Sequence, residues 1–422
     1  MSERYEILPG VYFRGIKSDR FKTACLSIHF LRPLRWEENA LNALIGNVLL
    51  RGTEEFCDLR RITQELDRLY GADAGPMILK NGQIQTVGVG ASFMEERFAL
   101  PGDAVCKPVL ELLVQVLLRP RLENGAFCPE FVESEKHNLI SLIQSQYNDK
   151  RVYCANRMLK LMCGDDPFGI PRLGTVEQVE AVTPRMLYDH YLHVLAHSQV
   201  EIFYCGATAP EDMEKLLRDC LKDLPRGTID SVCQVDFVPQ PGTRYGEEEA
   251  EVTQGKLCLG FTTPVSNRDP RFCAMMVLNA LYGAGYTSKL FMNVREKLSL
   301  CYYASSSYYG SKGIFCVECG IDTANLEVTK AEILRQLEAC KAGDFTAQEL
   351  ASAKAAICNG LKTLGDGAGR MDNYYTTQVL SGLNLEPEEY LRRIDGVTPA
   401  EVAEAAGTLT LDTVFFVKGV AQ

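Results

Sequence analysis

Nowhere in the 422 residues is there a run of about 18 uncharged apolar side chains, the length a membrane-spanning helix needs. The opening Met1-Ser2-Glu3-Arg4-Tyr5-Glu6 carries acids where a secretory leader would carry an apolar core, so the expected address is the cytoplasm. Positive charge is in short supply: 44 lysines and arginines against 55 acids give 44 − 55 = −11. That balance excludes bulk neutralisation of a phosphate backbone, so no nucleic-acid partner is expected, while basic or neutral peptides are permitted. There is one Cys-x-x-Cys pair, Cys316 and Cys319, and no second pair beside it, which argues against a structural zinc knot. It lies in the strand-like run Gly313 to Cys319, where residues three apart point to opposite faces.

What is present is ordinary for a globular chain. Hydrophobic residues make up 46% and charged residues 23%, which rules out disordered and fibrous classes. The length allows two or three domains at about 150 residues each. Sixteen cysteines, from Cys25 to Cys358, read as small buried hydrophobes in a reducing compartment.

The strongest organisational signal is an internal repeat. Val182-Thr183-Pro184 returns as Val397-Thr398-Pro399, a shift of 397 − 182 = 215. Each copy leads into a helical segment and then an apolar strand ending in glycine, Val200 to Gly206 and Thr413 to Gly419, a shift of 419 − 206 = 213. Upstream, Ser134-Glu135-Lys136 parallels Ser352-Ala353-Lys354 at 352 − 134 = 218. Three landmarks in order at near-constant spacing imply a duplicated unit of roughly 215 residues. Between the copies, 227–249 concentrates proline, glycine and charge and reads as a linker. It separates an N-terminal domain, 1–226, from a C-terminal domain, 250–422.

Within each half, strands precede helices. Thr23 to Arg32 alternates as a half-buried strand, and Leu41, Leu44, Ile45, Val48 and Leu49 follow helical spacing. Ile84 to Val89 and Gly313 to Ile321 read as strands, Val109 to Leu118 and Glu133 to Gln146 as helices. The order fits an α+β class, two similar domains, each a sheet with helices packed on one side. His190, His193 and His197 share one helix face, but no glutamate lies between them and they read as structural. Glycine clusters at 283–289 and 365–370 lie between helices and Gly88 to Gly90 inside a strand, so none is a phosphate cradle.

Arg51-Gly52-Thr53 with Leu66 to Ala72 in the first half, and Gly283-Ala284-Gly285, Ser288-Lys289-Leu290-Phe291, Val294-Arg295-Glu296-Lys297 and Leu300-Cys301-Tyr302 in the second, carry a family likeness. Over essentially its whole length the chain resembles the M16 (pitrilysin, insulinase-like) metallopeptidases, with their LuxS/MPP-like metallohydrolase fold of mostly antiparallel sheets. It is similar in particular to bacterial inactive members sometimes labelled as associated with elongation factor P modification. Active members carry His-x-x-Glu-His on the helix before the Gly-Thr pair. Counting back from Gly52-Thr53 places that box on Ala43, Gly46 and Asn47, and the third ligand, seven residues after Glu135, on Leu142. A zinc hydroxide needs nitrogen or oxygen ligands and a carboxylate base. A methyl group, a hydrogen, an amide and an alkyl chain are no such set, so no metal and no cofactor are expected.

Arg295 and Tyr302 match the arginine and tyrosine that hold substrate backbone in the family. A guanidinium fork can grip a carbonyl and a phenol can donate to a developing oxyanion. The plainer alternative is that Arg295 pairs with a nearby carboxylate and Tyr302 packs in the sheet. Loss of the metal box with retention of this pair implies a non-catalytic subunit. Its partner would be an M16 chain bearing the zinc box, its ligand an extended peptide or small protein, and a homodimer is open. The alternative from another class is an inactive scaffold or peptide-binding protein.

Overall fold

The computed structural model describes residues 3–419. Its contacts form two compact units that are discontinuous in sequence. The first takes the chain through Gln144, then Ile170–Cys233 and Leu364–Leu380; the second takes Ser145–Gly169, Gln234–Thr363 and the chain from Ser381. No helix among the described residues is long and apolar enough to cross a membrane.

The first unit is built on strands β1 (Arg4–Leu8), β2 (Val11–Lys17), β3 (Thr23–Pro33), β4 (Asp73–Met77), β5 (Lys80–Asn81), β6 (Ile84–Met94) and β9 (Gln199–Gly206); a small hairpin, β7 (Leu122–Glu123) and β8 (Ala126–Phe127), stands apart. The sheet order is β1-β2-β9-β3-β6-β4, with β5 also on β6. The second unit has β10 (Arg244–Ala250), β11 (Gly255–Thr262), β12 (Cys301–Tyr309), β13 (Ile314–Ile321) and β14 (Thr410–Gly419), ordered β10-β14-β11-β13-β12. The pairings repeat: β2 runs parallel to β9 and β10 parallel to β14, and the remaining partners in both series are antiparallel. The duplication read from spacing is therefore a duplication of topology.

Helices of the first half are α1 (Asn39–Leu49), α2 (Leu59–Arg68), α3 (Cys106–Leu118), α4 (Pro129–Asn148), α5 (Lys150–Cys163), α6 (Val176–Glu180), α7 (Pro184–His197) and α8 (Pro210–Cys220). The second half has α9 (Phe272–Tyr282), a π-helical segment Leu290–Lys297, α10 (Leu326–Lys341), α11 (Ala347–Lys362), α12 (Ala368–Leu380), α13 (Pro387–Gly396) and α14 (Pro399–Gly407). The repeated Thr-Pro landmarks are helix starts. Thr183 and Thr398 accept the third-residue N–H of α7 and α14 (3.2 and 3.3 Å), and each is followed by a proline that needs no donor there. The repeated lysines serve those starts: Lys136 Nζ donates to the Val182 carbonyl (3.0 Å) and Lys354 Nζ to that of Asp395 (2.7 Å).

Strand parity places the core. Ala24, Leu26, Ile28 and Phe30 of β3 face the helix layer of α1, α3 and α7 with Val87, Val89 and Ile202. The α+β class and the mainly antiparallel sheets are as the sequence implied. The opposite sheet faces, however, are not bare, because each carries one helix from the other half of the chain. In the first unit α12 packs on β9 and β3: Tyr375 stacks on Phe203 (6.0 Å), and Ser27 and Thr376 hydroxyls donate to buried Asp372 (2.8 and 3.0 Å). In the second, Cys154, Met158 and Met162 of α5 pack on Cys258, Cys316, Phe415 and Val417. The segment read as a linker, 227–249, also holds structure, since its last residues form β10. The parallel ladder with β14 and the bonds of Glu248 to Tyr153 and Arg157 (2.6 and 2.7 Å) hold a strand that lacks apolar alternation.

Candidate functional site

The first place to examine is α1. Ala43 is buried in the core between helix layer and sheet. A Cβ on Gly46 would stand 3.0 Å from Pro76 Cβ and 3.2 Å from the Gly88 carbonyl oxygen, so glycine lets α1 close onto β4 and β6. The residue that weakens the helix locally is thus the one that permits its packing. Asn47 turns its amide back to the Ala43 carbonyl (3.3 Å). The spacing of Leu142 from Leu139 would set it in the apolar stripe of α4, but it is 48% exposed, while Leu139 is buried and Ile143 packs on the core. The nearby carboxylate, Glu135, is buried and holds Arg51 Nη1 (3.2 Å) and the Asn138 amide (3.2 Å). These groups do not fit a zinc ion, and no trio of His, Cys, Asp or Glu among the described residues is grouped to hold one.

The histidines on α7 have separate partners. His190 Nε2 lies 2.7 Å from Asn42 Oδ1, and burial pushes its pKa down to about 4. His193 faces Asp230 (3.4 Å) and His197 the Thr228 carbonyl (2.8 Å). Lys289, at the end of the glycine-rich run, is buried against Glu349 (3.3 Å).

The second place is the junction from the π-helical segment into β12, where three uncommon backbone features fall within thirteen residues, Leu290 to Tyr302. The helix is π-wound, so the Leu298 N–H reaches back five residues to the Asn293 carbonyl (3.2 Å). Ser299 sits at φ 49°, a left-handed conformation that L side chains rarely take. The β12–β13 register slips between Cys301 and Tyr303, which makes Tyr302 the extra residue of a bulge. Buried Leu290 and Val294 anchor the segment, as do the Ser288 hydroxyl on the Phe291 N–H (3.3 Å) and Asn293 on Gln336 (3.0 Å).

The result is that Arg295 and Tyr302 both stand out from the unit. Arg295 is partly exposed, its guanidinium 4.7 Å from the Phe291 ring centre, and its contact with Glu296 is loose at 3.6 Å. Tyr302 is 51% exposed and does not pack in the sheet; its hydroxyl donates to Asp322 Oδ1 (3.2 Å). That bond to a carboxylate raises the phenol's pKa. Tyr286, Met292 and Leu298, near them in sequence, are also exposed, and Tyr286 meets Phe291 edge-on (5.4 Å). Phe291 and Asp322 touch the pair; the first was named from sequence only within a family motif, and the second not at all. Phe291 precedes Arg295 by four residues, a spacing that could have marked it; Asp322 is twenty residues from Tyr302 and gives no such signal.

The family model for the peptidase M16 inactive domain matches residues 181–357. YmfF of Bacillus subtilis (strain 168), described as a probable inactive metalloprotease, is 31% identical over 406 residues, 96% of this chain and 95% of that protein. Among solved structures, a conserved protein from Enterococcus faecalis V583 superposes with a TM-score of 0.92 at 27% identity, covering 100% of this chain and 99% of that one. A peptidase M16 inactive domain from Pseudomonas fluorescens shares the fold, with a TM-score of 0.82 at 17% identity over 99% of this chain and 98% of that one. The near full-length identity to YmfF identifies this chain as a member of the M16 peptidase family, among its inactive members.

Proposed function

We propose that this protein is a non-catalytic subunit of a cytoplasmic M16-type peptidase, and that it lends Arg295 and Tyr302 to peptides cleaved at the zinc site of a partner chain. The observation that carries this reading is the junction itself. A left-handed serine costs stability, and with the π-helix and the bulge around it a guanidinium and a protonated phenol are presented to solvent. Tyr302 lies near the start of β12, an edge strand, and Arg295 just before it, so an extended peptide added to that edge would pass beside them. Arg295 would hold a backbone carbonyl, and Tyr302 would donate to the oxygen that gains charge as the bond is cleaved.

The test is to purify the chain alone and with an M16 chain that bears His-x-x-Glu-His. The lone chain is expected to bind no stoichiometric zinc and to cleave no peptide, and the pair to cleave. Arg295→Ala or Tyr302→Phe in the pair is expected to lower kcat/KM about 100-fold, the usual loss for one oxyanion donor. Zinc at one per chain with cleavage by the lone protein would overturn the proposal. Unchanged cleavage by both variants would overturn it too, in favour of a scaffold.

A further inference from the structure

The two sheets differ at the edge formed by β2 in one and β10 in the other. These strands are topological equivalents, each parallel to the last strand of its half. In the first unit β1 covers β2 as an antiparallel strand. Ile7 of β1 enters the core, and Tyr5 meets Phe13 edge-on (5.9 Å) and donates to Glu214 (3.0 Å). On the opposite face, Arg4 binds Glu201 (2.8 Å) and lies 3.7 Å from the Tyr12 ring centre. In the second unit no strand among the described residues pairs with the outer side of β10. Alternate backbone N–H and C=O groups of an edge strand point outward and want partners.

The face of β10 toward α10 carries a row of exposed side chains. Tyr245, 68% exposed, and Glu247 form one wall of a groove of about 230 Å³, Leu326, Glu327 and Lys330 the other, with buried Val414 and Phe416 between them. The polar groups are mainly acidic. Glu247 and Glu251 have no ion pair among the described residues, Glu249 has only a 3.8 Å contact with Lys418, and Glu327 is paired with Lys330 (2.7 Å). Glu248 turns to the other face and is held by Arg157. A second copy of this strand is the wrong occupant, because antiparallel pairing would set glutamate rows against each other.

We infer that β10 is a docking edge for an extended segment of a partner protein with basic residues at alternate positions, taking the place that β1 takes in the first unit. Its backbone completes the ladder, and its basic residues, which strand alternation sets on one face, meet Glu247 and Glu249. The site is separate from Arg295 and Tyr302 and stands whether or not those residues serve a peptidase.

The test uses the full chain and seven-residue synthetic peptides, the length of β10. One alternates lysine with valine and tyrosine, a second replaces lysine by glutamate, and a third is the basic peptide with alternate backbone amides N-methylated. Fluorescence anisotropy is expected to show binding of the first alone. Glu247→Lys with Glu249→Lys, folded like the parent by circular dichroism, is expected to weaken it at least about tenfold. Tyr245→Ala should weaken it as well, and Arg295→Ala with Tyr302→Phe should leave it unchanged. Equal binding of the N-methylated peptide, or full binding to the charge-reversed chain, would overturn the inference. So would self-association of the parent chain that competes with the peptide.

Discussion

The helix-to-strand junctions of the two units are one design carried out in two ways. In the first, α2 ends with the Ala72 N–H reaching back six residues to the Leu66 carbonyl (3.0 Å); in the second, the Leu300 N–H reaches back six to Val294 (3.0 Å). Aligned on that bond, a shift of 294 − 66 = 228, Asp67 stands where Arg295 does, Gly71 where Ser299 does and Ala74 where Tyr302 does. The first junction takes its left-handed turn with Tyr70 and Gly71, at φ 64° and 70°, and continues in a regular β4. The second takes it with serine, winds its helix as π and bulges its strand. Duplicated backbones thus differ in helix winding, in strand regularity and in the side chains they carry at matching positions.

The sharpest way to break this contrast is to give the second junction the residues of the first. Arg295→Asp with Tyr302→Ala is expected to lower kcat/KM of the partnered enzyme about 1,000-fold, roughly 4 kcal/mol. Asp67→Ala is expected to change it less than about threefold. A comparable loss from Asp67→Ala would remove the distinction between the copies.

Acid should separate the units next, because all five histidines, His29, His137, His190, His193 and His197, belong to the first. His190 has its folded-state pKa lowered from 6.5 to about 4 by burial, and burial lowers that of His29 as well. The unfolded chain therefore binds protons that the folded chain refuses. Stability is complete above pH 6.5 and falls as pH drops toward 4, by up to about 3 kcal/mol for His190. Hydrogen exchange across that range should show the sheet of β3, β6 and β9 lose protection first, and His190→Gln should flatten its pH dependence. Equal acid loss in the sheet of β11, β13 and β14 would count against this account.

A smaller effect probes packing behind the first junction. Gly46→Val drives branched carbon into Pro76 and the Gly88 carbonyl, with an expected cost of about 2 kcal/mol by urea unfolding. A cost below about 0.5 kcal/mol would mean that α1 can move away from β4. The smallest effect concerns the turn itself. Ser299→Gly is expected to stabilise by about 0.5 kcal/mol and Gly71→Ser to destabilise by about 1 kcal/mol, since only glycine takes positive φ freely. Opposite signs in thermal unfolding would show that Ser299 is held by contacts that outweigh its strain.

Much of this was readable from the chain. The repeat could be found because its landmarks do physical work: Thr183 and Thr398 start helices, and Lys136 and Lys354 brace the segments before those starts. The strand at Thr23 and the helix through Leu44 and Val48 declared themselves by period. Strand β10 did not, because a run of glutamates carries no apolar period and its support comes from β14 and α5. Leu142 was misplaced because i+3 spacing from Leu139 says that two residues share a side, not where that side meets the core. The π-winding at Arg295 and the bulge at Tyr302 depend on how Asn293, Lys289 and the β13 register settle, none of which is local. The exchange of α5 and α12 was equally hidden, since an amphipathic helix does not name the sheet it will cover.

That exchange has a consequence for how the chain is made. The sheet of the first unit has all its strands once Gly206 leaves the ribosome, but α12, which covers its second face, ends at Leu380. The interval is 380 − 206 = 174 residues, roughly 10–35 s of elongation at bacterial to eukaryotic speeds. Throughout it Phe203 and Cys205 lack the helix that shelters them in the finished protein, so the nascent chain offers a greasy surface that chaperones can engage.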